Sequence, residues 1–163
     1  MTHEHHKKIP VTAAVITVSS SRTCDTDISG NGIAEAFRNA GMNAENPVIV
    51  PDDRAQIRAA VETALVSSAN CIVVNGGTGI TRDDVTIESV APLFEKRMEG
   101  FGELFRAKSV AQIGTAVILT RADAGVAKGK AIFCIPGSPK AGKLAVEEII
   151  VPEIEHILTH AGD

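Results

Sequence analysis

Apolar residues occur along this chain in two patterns: nearly continuous runs, and a helical spacing between the runs. Nearly continuous apolar runs, rich in β-branched side chains, occupy residues 11–18, 71–74 and 130–135. Such runs are typical of strands that are covered on both faces of a parallel sheet. Shorter runs of the same kind at residues 47–50 and 115–121 predict two more strands.

Helical spacing dominates the segments between these runs. In residues 32–41, for example, apolar side chains recur at i, i+3, i+4 and i+7. The predicted helices cover residues 32–41, 52–69, 86–98 and 136–158. Residues 99–114 are less regular, and the glycines in residues 125–129 predict a turn. Pro152 is expected to kink or divide the last helix.

Strands that alternate with helices indicate a single three-layer α/β domain, in which helices flank a mostly parallel central sheet. A chain of 163 residues with 44% apolar and 22% charged content can bury the core that this fold needs. We assign residues 10–160 to this domain and expect residues 1–9 to form a flexible polar tail. His3, His5 and His6 could chelate a metal there, but a solvated terminus is the favoured interpretation.

The composition argues against several classes of partner. The net charge is −4 and Trp and Tyr are absent, so neither a basic stripe nor a stacking platform for nucleic acid is expected. No apolar run approaches the roughly 20 residues of a transmembrane helix, and no signal peptide is indicated. Cys24, Cys71 and Cys134 form no CxxC pair, which favours a reducing cytoplasm over a disulfide framework or a zinc ribbon. Cys71 and Cys134 are expected to be core residues rather than nucleophiles.

Polar loops follow four of the predicted strands directly. They cover residues 19–30, 50–53, 74–84 and 136–140. In an open parallel sheet, ligands bind outside the carboxyl ends of the strands, where backbone N–H groups and helix N-termini point outward. We therefore expect the four loops to meet at one edge of the sheet and to form a pocket for anionic groups.

The third of these loops is rich in glycine. Gly76, Gly77 and Gly79 allow positive φ and leave the backbone open to a ligand, so the loop is expected to hold an anion. A tight structural turn is the alternative, and the loop matches neither the G-x-G-x-x-G nor the Walker pattern. Asp83 and Asp84 follow at once, and a carboxylate here is a plausible ligand for Mg²⁺, which prefers one or two carboxylates with waters and phosphates.

Two acidic positions admit two interpretations each. Asp52 and Asp53 can cap a helix and occupy its first turn, contributing roughly 0.5 to 1 kcal/mol each. Alternatively, they face the glycine-rich loop of a neighbouring strand and bind a metal. Glu103 and Arg106, at i and i+3, can simply pair with each other on a helix surface.

Candidate anion-binding side chains occupy the first and the fourth loops. Ser138, Pro139 and Lys140 form a helix start by pattern, and the same helix start with its lysine resembles a phosphate seat. Arg22 is either solvated or an anion ligand. The sequence leaves both pairs of alternatives open.

Three ordered motifs, GGTGITRDDVTIES, EGFGELFR and PGSPKA, resemble the MoaB/MogA family of molybdenum cofactor biosynthesis proteins, and most closely its MoaB branch. The resemblance extends from about Val11 to Ile157. It implies a three-layer α/β fold, assembly into trimers or paired trimers, and molybdopterin adenylyltransferase activity with ATP and molybdopterin as substrates and Mg²⁺ as cofactor. The related tungsten cofactor pathway is equally compatible.

The resemblance also implies roles for individual residues. Asp52 and Asp84 match the family's two functional aspartates, which are associated with catalysis and with the metal. The implied nucleotide and pterin positions are Gly76, Gly77, Thr78, Gly79, Glu103, Gly137, Ser138 and Pro139. Arg22, Arg82 and Lys140 would add positive charge beside the phosphates.

The chain departs from the family pattern at two places. Many relatives have Arg-Asp-Val-Thr, whereas here Asp83 separates Arg82 from Asp84. Many also carry an aspartate where Ser20 stands. Three functions stay open: a transferase, a protein that binds pterin or nucleotide in the same cleft and delivers or protects it without turnover, and a structural oligomer or scaffold whose cleft is vestigial.

Overall fold

The structure, a computed structural model, describes residues 8–163. His3, His5 and His6 lie outside the described residues, so the prediction for them is not tested. The described chain builds a central sheet with an apolar core on each face. The three layers predicted from the strand and helix pattern are therefore confirmed.

The sheet has seven strands in the described chain. They are β1 (Thr12–Val18), β2 (Asn43–Ala44), β3 (Val48–Val50), β4 (Cys71–Asn75), β5 (Lys96–Arg97), β6 (Asp123–Ala127) and β7 (Lys130–Ile135). β1 pairs in parallel with β2 and β3 on one side and with β4 on the other, and β4 pairs in parallel with β7. β6 and β5 complete the sheet as an antiparallel edge. The predicted mostly parallel sheet is confirmed.

Helices cover both faces of this sheet. They are α1 (Ile28–Asn39), α2 (Arg54–Leu65), α3 (Thr86–Val90), α4 (Glu99–Ile113), α5 (Pro139–Ala145) and α6 (Val151–Ala161). Side-chain oxygens of Asp27, Asp53 and Ser138 accept hydrogen bonds from first-turn amides of α1, α2 and α5 respectively. These caps satisfy donors that have no partner inside the helix.

Strand side chains alternate between two cores. Val73 and Phe133 point into the core beneath α1, α4, α5 and α6, whereas Ile72 and Ile132 point into the core beneath α2 and α3. Burying one such side chain contributes about 1.5–3 kcal/mol. Because both faces are covered, the interior strands are apolar at nearly every position, which is the pattern that predicted them.

The strand predicted at residues 115–121 is wrong. Gly114–Leu119 forms a largely exposed 3₁₀-helical segment instead. The antiparallel neighbour of β7 is instead β6, which overlaps the first part of the turn predicted at residues 125–129. The turn itself consists of Lys128 and Gly129, both with positive φ. Apolar β-branched residues favour a strand, but pairing and burial in the sheet decide the outcome.

Residues 86–114 need two further corrections. α3 ends at Val90, and after a 3₁₀ turn the chain pairs with β6 as β5, so the predicted helix does not continue to residue 98. The less regular stretch is α4, a helix of 15 residues. Phe101, Phe105 and Ser109 form its buried side at intervals of four residues.

The start of α1 differs from the prediction, whereas the interruption of the last helix agrees with it. α1 begins at Ile28, ahead of the expected start at residue 32, because Asp27 caps it. The expected interruption near Pro152 is confirmed, since a π-helical segment, Val146–Ile150, separates α5 from α6. Proline has no amide hydrogen to continue the regular pattern, and a π turn accommodates this loss.

Candidate functional site

The carboxyl ends of four parallel strands lie at one edge of the sheet. Val18 at the end of β1 is in register with Val50 at the end of β3. Asn75 at the end of β4 is in register with Thr17 of β1 and with Ile135 at the end of β7. The four loops that follow these strands therefore begin at the same edge, as expected for a parallel sheet.

The order of the strands corrects one expectation about the acidic loops. β3 and β4 are not neighbours, because β1 lies between them. The loops that carry Asp52 and Asp84 thus begin on opposite sides of the β1 loop, at strand ends about 10 Å apart if each strand spacing is ~4.8 Å. A ligand that contacts both aspartates must cross the β1 loop.

Gly76 and Gly77 turn the chain directly after β4. Their φ angles are 108° and 70°. A Cβ atom on Gly76 would lie 2.6 Å from the carbonyl oxygen of Val18, and a Cβ atom on Gly77 would collide with Oγ1 of Thr86. Thr86 also holds the loop, because its amide donates to the Gly77 oxygen and its hydroxyl donates to the Gly76 oxygen. Glycine is required here for conformation and for space.

The same loop offers amide donors. Within residues 8–163, the N–H groups of Gly77, Thr78 and Gly79 have no protein acceptor, although Thr78 is almost completely buried. A buried N–H group without a partner costs free energy unless a ligand or water satisfies it. The loop is therefore suited to hold an anion, beyond being a tight turn.

A cleft of about 300 Å³ opens between this loop, the Ser138 loop and α4. Its polar wall includes Thr78, Asp84 and Ser138, and its apolar wall includes Phe105, Ile113 and Leu119. The volume is at the small end of the range for ligand pockets. A lining that combines polar and apolar side chains suits a ligand that combines anionic groups with a flat ring.

Asp84 lines this cleft, whereas Asp83 is exposed. Oδ2 of Asp84 accepts hydrogen bonds from the amide and the hydroxyl of Thr81, at 2.9 and 2.8 Å. A Cβ atom on Gly79 would lie only 2.6 Å from the same oxygen. Oδ1 has no protein donor within the described residues. The carboxylate is thus oriented through one oxygen, and the other is available to a cation.

Asp52 is held by a residue of the β1 loop. The hydroxyl of Ser20 donates to Oδ2 of Asp52 at 2.8 Å and accepts from the Asp52 amide at 3.2 Å. Asp53 is the helix cap, because its carboxylate accepts from the amide of Gln56 at 3.0 Å. Asp53 is therefore the helix cap, and the carboxylate of Asp52 contacts Ser20 instead of capping the helix.

Arg22 joins the first loop to the fourth. Its Nη2 donates to the carbonyl oxygen of Gly137 at 3.1 Å, and its Nη1 lies 3.9 Å from a carboxylate oxygen of the buried Asp27. Gly137 packs closely on the glycine-rich loop, since an added Cβ atom would lie 3.3 Å from the Cα atom of Gly76. Arg22 is therefore fixed within the site rather than fully solvated.

Of the remaining predicted residues, Ser138 lines the cleft, whereas Pro139, Lys140 and Arg82 do not. The hydroxyl of Ser138 accepts from the Ala141 amide at 3.1 Å, and Pro139 takes the first helical position, as predicted. Pro139 lines a neighbouring groove beside α1. Lys140 and Arg82 are exposed and are not among the residues that line the cleft.

Glu103 lies in a separate groove. That groove also contains Arg97 and Arg121, and Thr120 lines both the groove and the cleft. Within residues 8–163 Glu103 forms no ion pair with Arg106, whose Nη1 donates instead to the carbonyl oxygen of Ala122 at 3.0 Å. The expected surface pair is not formed.

Arg121 is a site residue that the sequence interpretation missed. Its amide donates to the oxygen of Thr78 at 2.9 Å, its Nε to that of Gly79 at 2.8 Å, and its Nη2 to that of Asp84 at 3.0 Å. An ion pair with Glu88 completes its contacts. The hydrogen bond from Arg121 keeps the pKa of the Glu88 carboxyl below its usual range. Its position in a wrongly predicted strand gave no sign of this role.

A buried polar network beneath the loops was also missed. The hydroxyl of Thr17 donates to Oδ2 of Asp27 at 2.7 Å, and Asn75 donates to Thr17 at 3.3 Å. Ser29 donates to the side-chain oxygen of Asn75 at 3.1 Å. Asp27, which is 1% exposed, caps α1 through the amide of Gly30 at 2.9 Å. The network ties the ends of β1 and β4 to the start of α1.

The cysteines behave as predicted. Cys71 and Cys134 are buried, and burial raises the pKa of both thiols far above the ordinary value. Cys24 is exposed on the first loop, and all three thiols are unpaired. Separately, none of the helices in residues 8–163 combines the length and the apolar composition that a bilayer crossing requires.

The residues around the cleft suit Mg²⁺ better than they suit a cation whose ligands must all come from the protein. In the described part of the chain, no group of three or more His, Cys, Asp or Glu side chains is arranged to hold a metal ion. Mg²⁺ usually takes one or two carboxylates and keeps waters and substrate phosphates as its other ligands. The second oxygen of Asp84 and the loop amides beside it match that arrangement.

Known proteins share the sequence pattern and the fold of this chain. Residues 14–156 match the model of the probable molybdopterin binding domain family. The chain belongs to this family. It is 44% identical over 151 residues to the molybdenum cofactor biosynthesis protein B of Staphylococcus aureus, covering 91% of this chain and 90% of that protein.

Two relatives come from Pyrococcus furiosus. A protein named molybdopterin adenylyltransferase is 45% identical over 168 residues, which cover 98% of each chain. The crystal structure of the tungsten cofactor synthesizing protein MoaB superimposes with a TM-score of 0.85 at 42% identity, covering 94% of this chain and 98% of that one. The resemblance to the MoaB/MogA family drawn from the three sequence motifs is confirmed, and so is the fold that it implied.

Proposed function

We propose that this member of the molybdopterin binding domain family adenylylates molybdopterin, with ATP as the second substrate, Mg²⁺ as the cofactor and pyrophosphate as the product. The observation that carries the proposal is the set of free amides of the glycine-rich loop beside the oriented carboxylate of Asp84 in one cleft. The name of the Pyrococcus furiosus relative supports the choice of reaction. The proposal is compatible with a molybdenum or a tungsten cofactor pathway, since the names of relatives mention each of these metals.

The reaction joins two anions. An oxygen of the terminal phosphate of molybdopterin attacks the α-phosphorus of ATP, the bond from that phosphorus to the bridging oxygen breaks, and pyrophosphate leaves with the electron pair. Both reactants are polyanions that repel each other unless their charge is screened. The main tasks of the protein are therefore to position the phosphates and to neutralise them.

Individual residues divide these tasks. The amides of Gly77, Thr78 and Gly79 bind phosphate oxygens, and the helix start at Ser138, which follows the closely packed Gly137, provides further donors. Asp84 would bind Mg²⁺ beside the glycine-rich loop, and Asp52, on the other side of the β1 loop, would reach the ion through water. Held there, Mg²⁺ would supply positive charge that screens the phosphates and favours the departure of pyrophosphate.

No general base is needed in this proposal. A phosphate nucleophile is already ionised near neutral pH, so no side chain has to remove a proton from it. The cleft agrees with this, because its lining residues include neither histidine nor cysteine. Ile113 and Leu119, which are about half exposed, provide an apolar surface for a flat heterocyclic ring.

Some of the predicted binding residues do not line the cleft, so their proposed roles are less direct. Arg82, Lys140 and Pro139 lie outside the cleft lining, so we propose that they influence the approach of the anionic substrates through their position at its rim or beside it. Glu103 lies in the adjoining groove and would contact only a part of a ligand that extends beyond the cleft.

We also propose that the chain assembles into trimers or paired trimers. Supporting this, α4 and the segment after it expose Val110, Ile113 and Ile118, which are 50%, 52% and 80% accessible. Apolar side chains grouped in this way mark surfaces that associate. Light scattering gives the molar mass directly. The free thiols favour a cytoplasmic location for the assembly.

The test of the reaction is incubation of the purified full chain with molybdopterin, ATP and Mg²⁺. Release of pyrophosphate and formation of adenylylated molybdopterin, both lost on chelation of Mg²⁺, are expected. Saturable binding of molybdopterin or ATP with no product would identify the non-catalytic carrier instead. Ser20 favours that alternative, because it contacts Asp52 at a position where many relatives carry an aspartate. No binding of either ligand would refute both functions.

A further inference from the structure

A second cluster of ligand-type side chains lies on α6, at the opposite end of the sheet from the loops that form the cleft. His156 and His160 are one helical turn apart, and their Nε2 atoms are 3.1 Å from each other. Nδ1 of His156 lies 3.1 Å from a carboxylate oxygen of Glu153. The two rings are 4.9 Å apart between centroids. This cluster has no part in the proposed transferase reaction.

The hydrogen bonds define which nitrogens carry protons when both rings are neutral. A carboxylate only accepts, so Nδ1 of His156 carries the hydrogen that it donates to Glu153. Nε2 of His156 then carries a lone pair, which accepts the hydrogen on Nε2 of His160. The pair is thus arranged around one position that a proton occupies and that a metal ion can take instead.

The spacing of the two nitrogens matches that of two metal ligands. Two imidazole nitrogens bound at about 2.05 Å to one metal ion, with an angle of about 100° between them, lie about 3.1 Å apart. The observed separation of the Nε2 atoms is the same, 3.1 Å. Glu153 supplies the carboxylate that commonly orients a metal-binding histidine through its other nitrogen.

We propose that His156 and His160 form a binding site for a divalent metal ion that favours imidazole, such as Zn²⁺, Ni²⁺ or Cu²⁺. The proton on Nε2 of His160 moves to Nδ1 through solvent, and both Nε2 atoms bind the ion. Waters complete the coordination on the side of the groove that His156 and His160 share with Lys96 and Arg97. Mg²⁺ does not compete, because it prefers oxygen ligands.

The charges around the pair limit the affinity. Lys96 and Arg97 line the same groove and disfavour a cation, although Arg97 is paired with Asp123 at 2.9 Å. Glu153 offsets part of this charge. The site is therefore expected to bind through chelation by two imidazoles, rather than through a strongly negative potential.

The test uses the full chain with His3, His5 and His6 replaced by alanine. The chain has five histidines, so His156 and His160 are the two that remain in this parent protein. Calorimetric titration with Zn²⁺ is expected to give close to one ion per chain. His160→Ala is expected to weaken binding by at least about tenfold, as loss of a chelating ligand should. The Cu²⁺ complex of the parent is expected to show nitrogen hyperfine coupling from two imidazoles.

A matched pair of variants tests the orienting carboxylate. Glu153→Ala is expected to weaken Zn²⁺ binding about tenfold. Glu155→Ala removes the same charge from the same helix without touching either ring and should leave the affinity unchanged. The metal site would be refuted if the parent did not bind Zn²⁺, or if His160→Ala bound Zn²⁺ as tightly as the parent does. The orienting role of Glu153 would be refuted if Glu153→Ala bound Zn²⁺ as tightly as the parent does. Pyrophosphate release should be unaffected by His160→Ala, so this proposal and the transferase can fail separately.

Discussion

The side-chain Nε of Arg121 donates to the carbonyl oxygen of Gly79 at 2.8 Å across 42 positions of the sequence. The same guanidinium contacts the Asp84 oxygen and the Glu88 carboxylate. One arginine on the connection between α4 and β6 thus holds the glycine-rich loop at Gly79 and at Asp84 and contacts Glu88 in α3. The shape of the polar wall of the cleft depends on a residue from a distant part of the chain.

Replacement of Arg121 is expected to destabilise the fold. Arg121→Ala removes several hydrogen bonds and leaves the carbonyl oxygens of Gly79 and Asp84 without this donor, so the free energy of unfolding should fall by about 1–3 kcal/mol. Arg121→Lys keeps the charge but loses the planar fork and should recover little. Urea denaturation measures both. Arg82→Ala, at an exposed position, is the control and should change the free energy by less than about 0.5 kcal/mol.

The ion pair with Arg121 also predicts a dependence of stability on pH. The pKa of Glu88 is lowered in the folded chain from an ordinary value of 4.5, so the unfolded chain takes up the proton first as the pH falls. The contribution of Glu88 is therefore complete above about pH 4.5 and is lost below it, as the pH passes through the folded pKa. Urea midpoints between pH 6 and pH 3 should fall less steeply in Glu88→Gln. Parallel curves would contradict the pair.

Asp84 and Asp83 provide a matched test of the metal ligand. Asp84→Asn keeps the acceptor for Thr81 but removes the charge, so Mg²⁺-dependent pyrophosphate release should fall by about 100-fold or more. Asp83→Asn removes the same charge from an exposed neighbour and should retain most of the activity. Both variants should keep the parent melting temperature within a few degrees. An equal loss in the two variants would mean that Asp84 has no special role.

The buried network beneath the loops is expected to contribute strongly to stability. Asp27→Ala removes the cap of α1 and leaves the hydroxyl of Thr17 without its acceptor, at a cost of about 2–4 kcal/mol. Asp25→Ala, in the same loop but exposed, should change little. Thermal unfolding of both variants distinguishes these outcomes. A similar melting temperature in the two proteins would show that the network is dispensable.

Thiol labelling tests the assignment of the cysteines. In the folded chain Cys24 should react quickly with a thiol reagent, whereas Cys71 and Cys134 should not, because they are buried and burial raises their pKa. All three should react in guanidinium chloride. Rapid labelling of more than one thiol in the native protein would contradict the packed core around the strands.

Much of the fold was predictable where local pattern and tertiary packing agree. The runs at residues 11–18, 71–74 and 130–135 became β1, β4 and β7, since strands covered on both faces must be apolar throughout. Asp53 and Ser138 cap helices as their sequence contexts indicate. Capping depends on neighbours within a few residues, so the sequence alone is sufficient for it.

The errors lie where local preference and the tertiary environment disagree. Residues 115–121 have β-branched side chains but no neighbouring strand to pair with, and β6 forms from the small residues after them. The glycines near the start of α4 concealed a helix whose stability depends on the burial of Phe101 and Phe105. Propensity is a weak signal when burial decides the structure.

For the candidate site, the sequence by itself determined which loops begin at the same edge of the sheet, because a parallel α/β pattern places the carboxyl ends of its strands together. The glycines, Asp84 and Ser138 lie on these loops as predicted. Only the tertiary structure decided that β1 separates the Asp52 loop from the Asp84 loop, and that Arg121 and Asp27 hold the loops in place. Strand order and long-range hydrogen bonds arise from packing between distant segments, and no local pattern of residues encodes them.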